Sequence, residues 1–204
     1  MMRARYALAL LLVMAAPGCG KELVVGGQKH VDTRSTGDGT PEGSASMAPA
    51  FDRSPAGGPS LAAARAQGTI TFNAKVELLR ADGQAVALGS AQPATVKIDG
   101  SDTVTVVSGD VPAATYTAVR VTFSSVNANV TGGLVIGGVS LTGNVTVGTG
   151  EAIVVERAVN LGSPEASVRL LIDLDASAWL SAANPATRVV ASSVFQSAVK
   201  IRTY

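Results

Sequence analysis

Every second residue from Ile70 to Leu78 is apolar. Ile70, Phe72, Ala74, Val76 and Leu78 would share one face of an extended chain, and Thr71, Asn73, Lys75 and Glu77 the other. A period of two belongs to a β-strand with one buried face. The pattern returns along the chain. Val119, Val121 and Phe123 oppose Arg120, Thr122 and Ser124 within a long run from Tyr116 to Val130. Val168, Leu170, Ile172 and Leu174 form another inward row. Val189, Ala191, Phe195, Val199 and Ile201 share one side of a last run from Arg188 to Ile201. Shorter runs cover Ala94–Ile98, Thr103–Val107, Leu134–Ile136, Val139–Val147 and Ala152–Val159. Asp82-Gly83, Asp99-Gly100 and Gly132-Gly133 are turn signals. Gly132 to Gly150 alternates between glycines and reads as a long hairpin.

Valine and threonine are abundant here, and β-branched side chains suit a pleated, half-buried surface. Many short strands between turn signals predict an all-β, antiparallel β-sandwich of about seven to nine strands over residues 68–204. One short helix is expected over 176–183, carrying Trp179 and ending before Asn184-Pro185.

The N-terminal third reads differently. Arg3 and Arg5 precede an uncharged apolar run from Tyr6 to Ala16. Eleven residues are too few to span a bilayer and fit the core of a signal peptide. Ala16-Pro17-Gly18-Cys19 follows and resembles the lipobox of bacterial lipoproteins. In that family the peptide is cut before the cysteine, which carries the lipid. The resemblance implies a signal peptide over 1–18 and lipidation at Cys19. Gly20 stands where an Asp favours inner-membrane retention in enterobacteria-like lipoproteins. That points to a bacterial envelope protein at the outer membrane, facing the periplasm or the cell surface. Residues 19–67 are rich in Gly, Pro and Ser, carry balanced charges and lack apolar periodicity, so they read as a disordered, lipidated linker. His30 falls there and is expected to be solvated.

Composition narrows the chemistry. The single cysteine permits no internal disulfide, and the single histidine no site needing two. A formal charge of +1 argues against a general nucleic-acid binder. With His30 in the linker, the folded part offers no histidine for a Ser-His-Asp triad. No P-loop or dinucleotide fingerprint occurs, and no cofactor is expected.

Asp173 and Asp175 are two apart on a strand and would point the same way. They are candidate Ca²⁺ ligands if the Asp99–Asp102 loop joins them. The simpler reading has them capping the turn over Ser177–Leu180. Carboxylate hydrolysis could draw on Glu151, Glu156, Asp173 and Asp175, although no spacing singles out a pair. Pro112 presets a turn, and Tyr116 could bond the backbone as in a tyrosine corner. Tyr116, Trp179 and Tyr204 are the candidates for stacking on a sugar.

Two passages resemble a domain of unknown function found in bacterial lipoproteins. Val111 to Val121 (VPAATYTAVRV) resembles its PAGxYxxxRV segment, and Val168 to Trp179 (VRLLIDLDASAW) a late strand ending in DFDA. The closing RVVASSVFQSAVKI is similar to its last strand. The resemblance spans roughly residues 69–202. It implies a prealbumin-like or carboxypeptidase-regulatory-like sandwich and no enzymatic activity. The expectation is thus a non-catalytic envelope lipoprotein with a binding or structural role and a protein or glycan partner. The alternatives are a carbohydrate-binding or adhesin module and a carboxylate-based hydrolase.

Overall fold

The computed structural model describes residues 27–37 and 66–204. In chain order its strands are β1 (Gln28–Thr36), β2 (Gln67–Arg80), β3 (Ala85–Ala87), β4 (Gln92–Lys97), β5 (Val104–Pro112), β6 (Tyr116–Gly132) and β7 (Val135–Ile136). There follow β8 (Val139–Ser140), β9 (Gly143–Val147), β10 (Ile153–Ala158), β11 (Val168–Asp173), β12 (Val189–Val190) and β13 (Lys200–Thr203). Two helices interrupt the late strands, α1 (Ala176–Leu180) and α2 (Ser192–Ala198).

A four-stranded sheet runs β13-β11-β1-β5. A seven-stranded sheet runs β12-β9-β6-β2-β3, with β10 also on β6 and β4 also on β2. Both sheets contribute to one core, with Val31, Val106, Leu170 and Ile172 from the first and Ile70, Phe72, Val121 and Phe123 from the second. The domain is an all-β sandwich. Ile70, Phe72, Ala74, Val76 and Leu78 are all at most 2% exposed, so the opening alternation names one wall of that core.

Four features depart from the sequence expectation. The first is β1, which lies inside the stretch read as a linker. It is an interior strand, antiparallel to β5 and parallel to β11. Its inward residues are Lys29, Val31, Thr33 and Ser35, all fully buried. Only one of the four is apolar, so no hydrophobic period exists to be read. The rest of the proposed linker and the whole leader, Cys19 included, lie outside the described residues.

The second is α2. Ala191, Val194, Phe195 and Ala198 are spaced i, i+3, i+4, i+7, the period of a helix. Phe195 goes into the core, edge-on to Phe123 at 5.2 Å and to Trp179 at 5.5 Å between ring centres. The strand expected over Arg188–Ile201 is therefore two short strands flanking a helix. The third is mixed pairing. β1/β11 and β12/β9 are parallel, because β1 enters beside β11 from a distant point in the sequence and β12 approaches β9 along the outer edge. The fourth is the Gly132–Gly150 stretch, which forms a small β7/β8 hairpin followed by β9 returning along β6.

Candidate functional site

The solvent face of the seven-stranded sheet divides into two halves. Towards the Tyr116 end it is charged. Glu77, Arg120 and Glu156 stand opposite one another across β2, β6 and β10. Arg120 donates to Glu156 at 2.9 Å and Lys75 pairs with Glu77 at 2.7 Å. Towards the Gly132 end the outward positions carry hydroxyls and amides. One row across the strands reads Thr146, Asn127, Thr71, Thr95, and the next reads Asn144, Asn129, Thr69, Lys97. A third pairs Ser125 with Asn73, whose amide donates to the serine hydroxyl at 3.3 Å. The side chains of these three rows are exposed or half-buried, and only Lys97 at the margin is charged.

This neutral field runs into a groove of about 320 Å³ lined in part by Ser124, Ser125, Asn127, Thr146 and Thr149. The groove has a cause in the strand pairing. One edge of β6 pairs with β10 as far as Phe123 and with β9 only from Asn127. Between them no strand among the described residues pairs with that edge. On the other edge the β2 register shifts at the same place, leaving Ser124 as the extra residue of a bulge. The β9–β10 connection, Gly148 to Glu151, arches round the gap and forms its far wall.

Glu151 braces this wall. Ser192, the first residue of α2, donates its hydroxyl to one carboxylate oxygen at 2.5 Å. The Thr149 amide and hydroxyl donate to the other at 3.0 and 2.8 Å. The Ser192 bond above all, then the loop's own donors, holds the Glu151 carboxyl down at about 2. A carboxylate that stays ionised to such low pH is a poor proton acceptor at neutral pH and no proton donor there.

The structure places the sequence-derived candidates as follows. Tyr116 is buried, and its hydroxyl donates to the Pro112 carbonyl at 2.8 Å, the corner role expected of it. Trp179 is fully buried at the end of an aromatic chain through Phe195, Phe123 and Phe72. Neither can stack on a ligand from solvent. Asp173 and Asp175 are held apart by different cations of β13, Arg202 at 2.6 Å and Lys200 at 2.5 Å. Asp173 also accepts the Asp175 amide at 3.0 Å. The expected cap is not made. Asp175 stands at the N-cap of α1 in a left-handed conformation (φ 47°), and its carboxylate bonds no helix amide. The Asp99–Asp102 loop does not join the pair, since its carboxylates take the Ser101 and Lys97 amides. Among the described residues no three His, Cys, Asp or Glu side chains gather.

His30 is the largest correction. It is not in a linker but on the outward face of β1, directly opposite Asp110 on β5. Its Nδ1 lies 2.8 Å from the Asp110 carboxylate and its Nε2 3.3 Å from the Ser108 hydroxyl. With Nδ1 protonated, the order is Ser–His–Asp, as in a nucleophilic relay. Ser108 and Asp110 are two apart on one strand and so share a face. Their spacing was in the sequence, but their histidine lies 78 residues from Ser108 and only the β1/β5 register unites them. His30 and Asp110 are each about half exposed, and none of the three lines the groove.

The neutral field had one sequence signal that periodicity alone passes over. No charged residue occurs between Arg120 and Glu151. No protein-family model matches the chain, and neither the curated proteins nor the solved structures yield a match.

Proposed function

We propose that the chain is a lipid-anchored protein of the bacterial envelope, at the outer membrane rather than the inner, whose β-sandwich is a non-catalytic binding domain. It is read as a member of the lipoprotein domain family whose PAGxYxxxRV and DFDA segments it resembles. The observation that carries the anchor is Cys19, the only cysteine, at the end of an apolar leader. The domain's chemistry supports the binding role. Glu151, Glu156, Asp173 and Asp175 each have their own hydrogen-bonding partner and are not paired with one another across a cleft.

Cys19→Ser, or treatment with globomycin, is expected to release the protein from the membrane fraction. Full membrane partitioning of the Cys19→Ser protein would defeat the anchor.

One observation favours a second reading, a serine hydrolase at Ser108. His30 would take the Ser108 proton as the hydroxyl attacked an acyl carbonyl, and return it to the leaving group. A fluorophosphonate probe decides between the two. Labelling at Ser108 that His30→Ala abolishes would establish the relay, and an unlabelled Ser108 leaves the binding role.

A further inference from the structure

We propose that the neutral half of the seven-stranded sheet, with the groove at its margin, binds an uncharged polysaccharide. The inference deepens the binding role above and rests on that reading for its premise, though not on the anchor.

One face of the sandwich is partitioned by charge. The sandwich keeps paired charges at Lys75, Glu77, Arg120 and Glu156, then has none from Val121 to Gly150. Charged side chains on a solvated sheet aid solubility and blunt unwanted pairing. Replacing them with Thr, Asn and Ser across four strands gives up that protection while keeping the surface polar. Every one of these side chains except threonine's methyl offers a donor or an acceptor, and the amides offer both. A sugar hydroxyl is also both at once, so this surface is matched to it group for group.

The surface is concave at the same place. The groove shares Asn127 and Thr146 with the field, so the two are continuous. At about 320 Å³ it lies at the small end of ligand sites and holds a sugar ring or two. Its floor is the stretch of β6 from Ser124 to Val126 that no strand among the described residues pairs on that edge. Backbone amides and carbonyls there can serve a ligand without breaking the sheet. Its wall is pre-set, because Glu151 ties the connecting loop to Ser192 of α2.

A protein partner would want aromatic or large apolar anchors, and those exposed among the described residues, Val135, Val139, Val154 and Tyr204, are not in the three rows. A phosphate-bearing partner would want a basic cluster, whereas the three rows carry one cation, Lys97 at the margin, and the ionised Glu151 carboxylate on the groove wall would repel an anion. With Tyr116 and Trp179 in the core, recognition would work through hydrogen bonds rather than stacking.

The test uses the full chain in detergent micelles and affinity electrophoresis through gels containing cellulose derivatives, β-1,3-glucan, mannan or starch, with polygalacturonate as the charged comparison. Retardation by at least one neutral glycan and not by polygalacturonate is the expected result. Asn127→Lys and Thr71→Lys should each weaken it by about tenfold, the scale of one lost polar contact. Arg120→Gln on the charged half should leave it unchanged. Both lysine variants point into solvent, and an unchanged thermal midpoint confirms their fold. Cys19→Ser should bind the glycan as the parent does, so loss of the anchor and loss of this site are separately visible. No retardation by any neutral glycan, retardation indifferent to both lysine variants, or a face that captures only protein, overturns the proposal.

Discussion

Lys29 is the residue on which the N-terminal strand turns. It is fully buried, and its Nζ donates to the carbonyls of Leu161 (2.7 Å), Ser163 (2.8 Å) and Ala166 (2.7 Å). Three donors meet three acceptors, so the ammonium is satisfied without a carboxylate. Burial still pulls its pKa below the ordinary lysine value. Lys29→Met would keep the apolar stem but leave three carbonyls without a donor. A loss of about 3 kcal/mol is expected in denaturant unfolding, at 1–3 kcal/mol per unsatisfied buried group and less for those near water. Glu151 gives a second residue-scale expectation, through pH. Its carboxyl titrates near 2 when folded and near 4.5 when free, so the folded state holds the proton less tightly. Its contribution to stability is complete above 4.5 and is lost as pH falls through 2. Glu151→Gln should flatten the dependence of the unfolding midpoint on pH within that window. An unchanged slope would mean that the Ser192 and Thr149 bonds do not form in solution.

At the scale of elements, what could be read from the sequence followed from where the apolar atoms lie. β2 and β6 bury alternate apolar residues and declare themselves, and β11, buried throughout from Leu170 to Asp173, shows as an apolar run. β1 buries Lys29, Thr33 and Ser35. The Lys29 ammonium and the Ser35 hydroxyl find carbonyl partners, Ile172 for Ser35, visible only in three dimensions, while the Thr33 hydroxyl has none among the described residues. α2 fits a period of two as well as one of 3.6, because Ala191, Phe195 and Val199 satisfy both, and the Phe195 contacts with Phe123 and Trp179 decide it. The site shared this limit. Outward Thr and Asn positions read as ordinary solvent faces until the register stacks them in rows. Two predictions follow from these elements. A chain beginning at Ala66, the sequence-derived start of the domain within two residues, lacks the strand between β5 and β11. It should lose cooperative unfolding and bind a hydrophobic dye, whereas a fold that survived would demote β1 to an accessory. Phe195→Ala should cost roughly 3–5 kcal/mol, as for a large aromatic removed from a packed core.

At the scale of the molecule, β1 gives the domain two poles. Gln28 lies opposite Pro112, just before Tyr116 opens β6, and β2 brings Arg80 to the same end. The other end of β1 is Gly37, where a side chain would strike the Lys97 carbonyl, and Ile98 bonds Gly68 beside Val130 near the far end of β6. The sheets thus share a direction, and β6 with its 17 residues spans about 55 Å between the poles. If Cys19 carries the lipid, nine residue steps separate it from Gln28, and no chain conformation carries that further than about 30 Å. The anchor then fixes an orientation that a linker of forty-odd residues would not. On that anchor the Arg80–Gln84 turn would lie at the membrane, while the β7/β8 hairpin, rooted by buried Leu134 and Leu141 and exposing Val135 and Val139, would point away with the neutral field on its side. Lipidation at Cys19 would block the native thiol, so that Gln84→Cys and Val139→Cys could each carry one fluorophore on vesicles containing an acceptor lipid. Energy transfer should be strong from position 84 and weak from position 139. Equal transfer from both would place the long axis of the domain flat on the bilayer, with the groove held at the surface instead of above it.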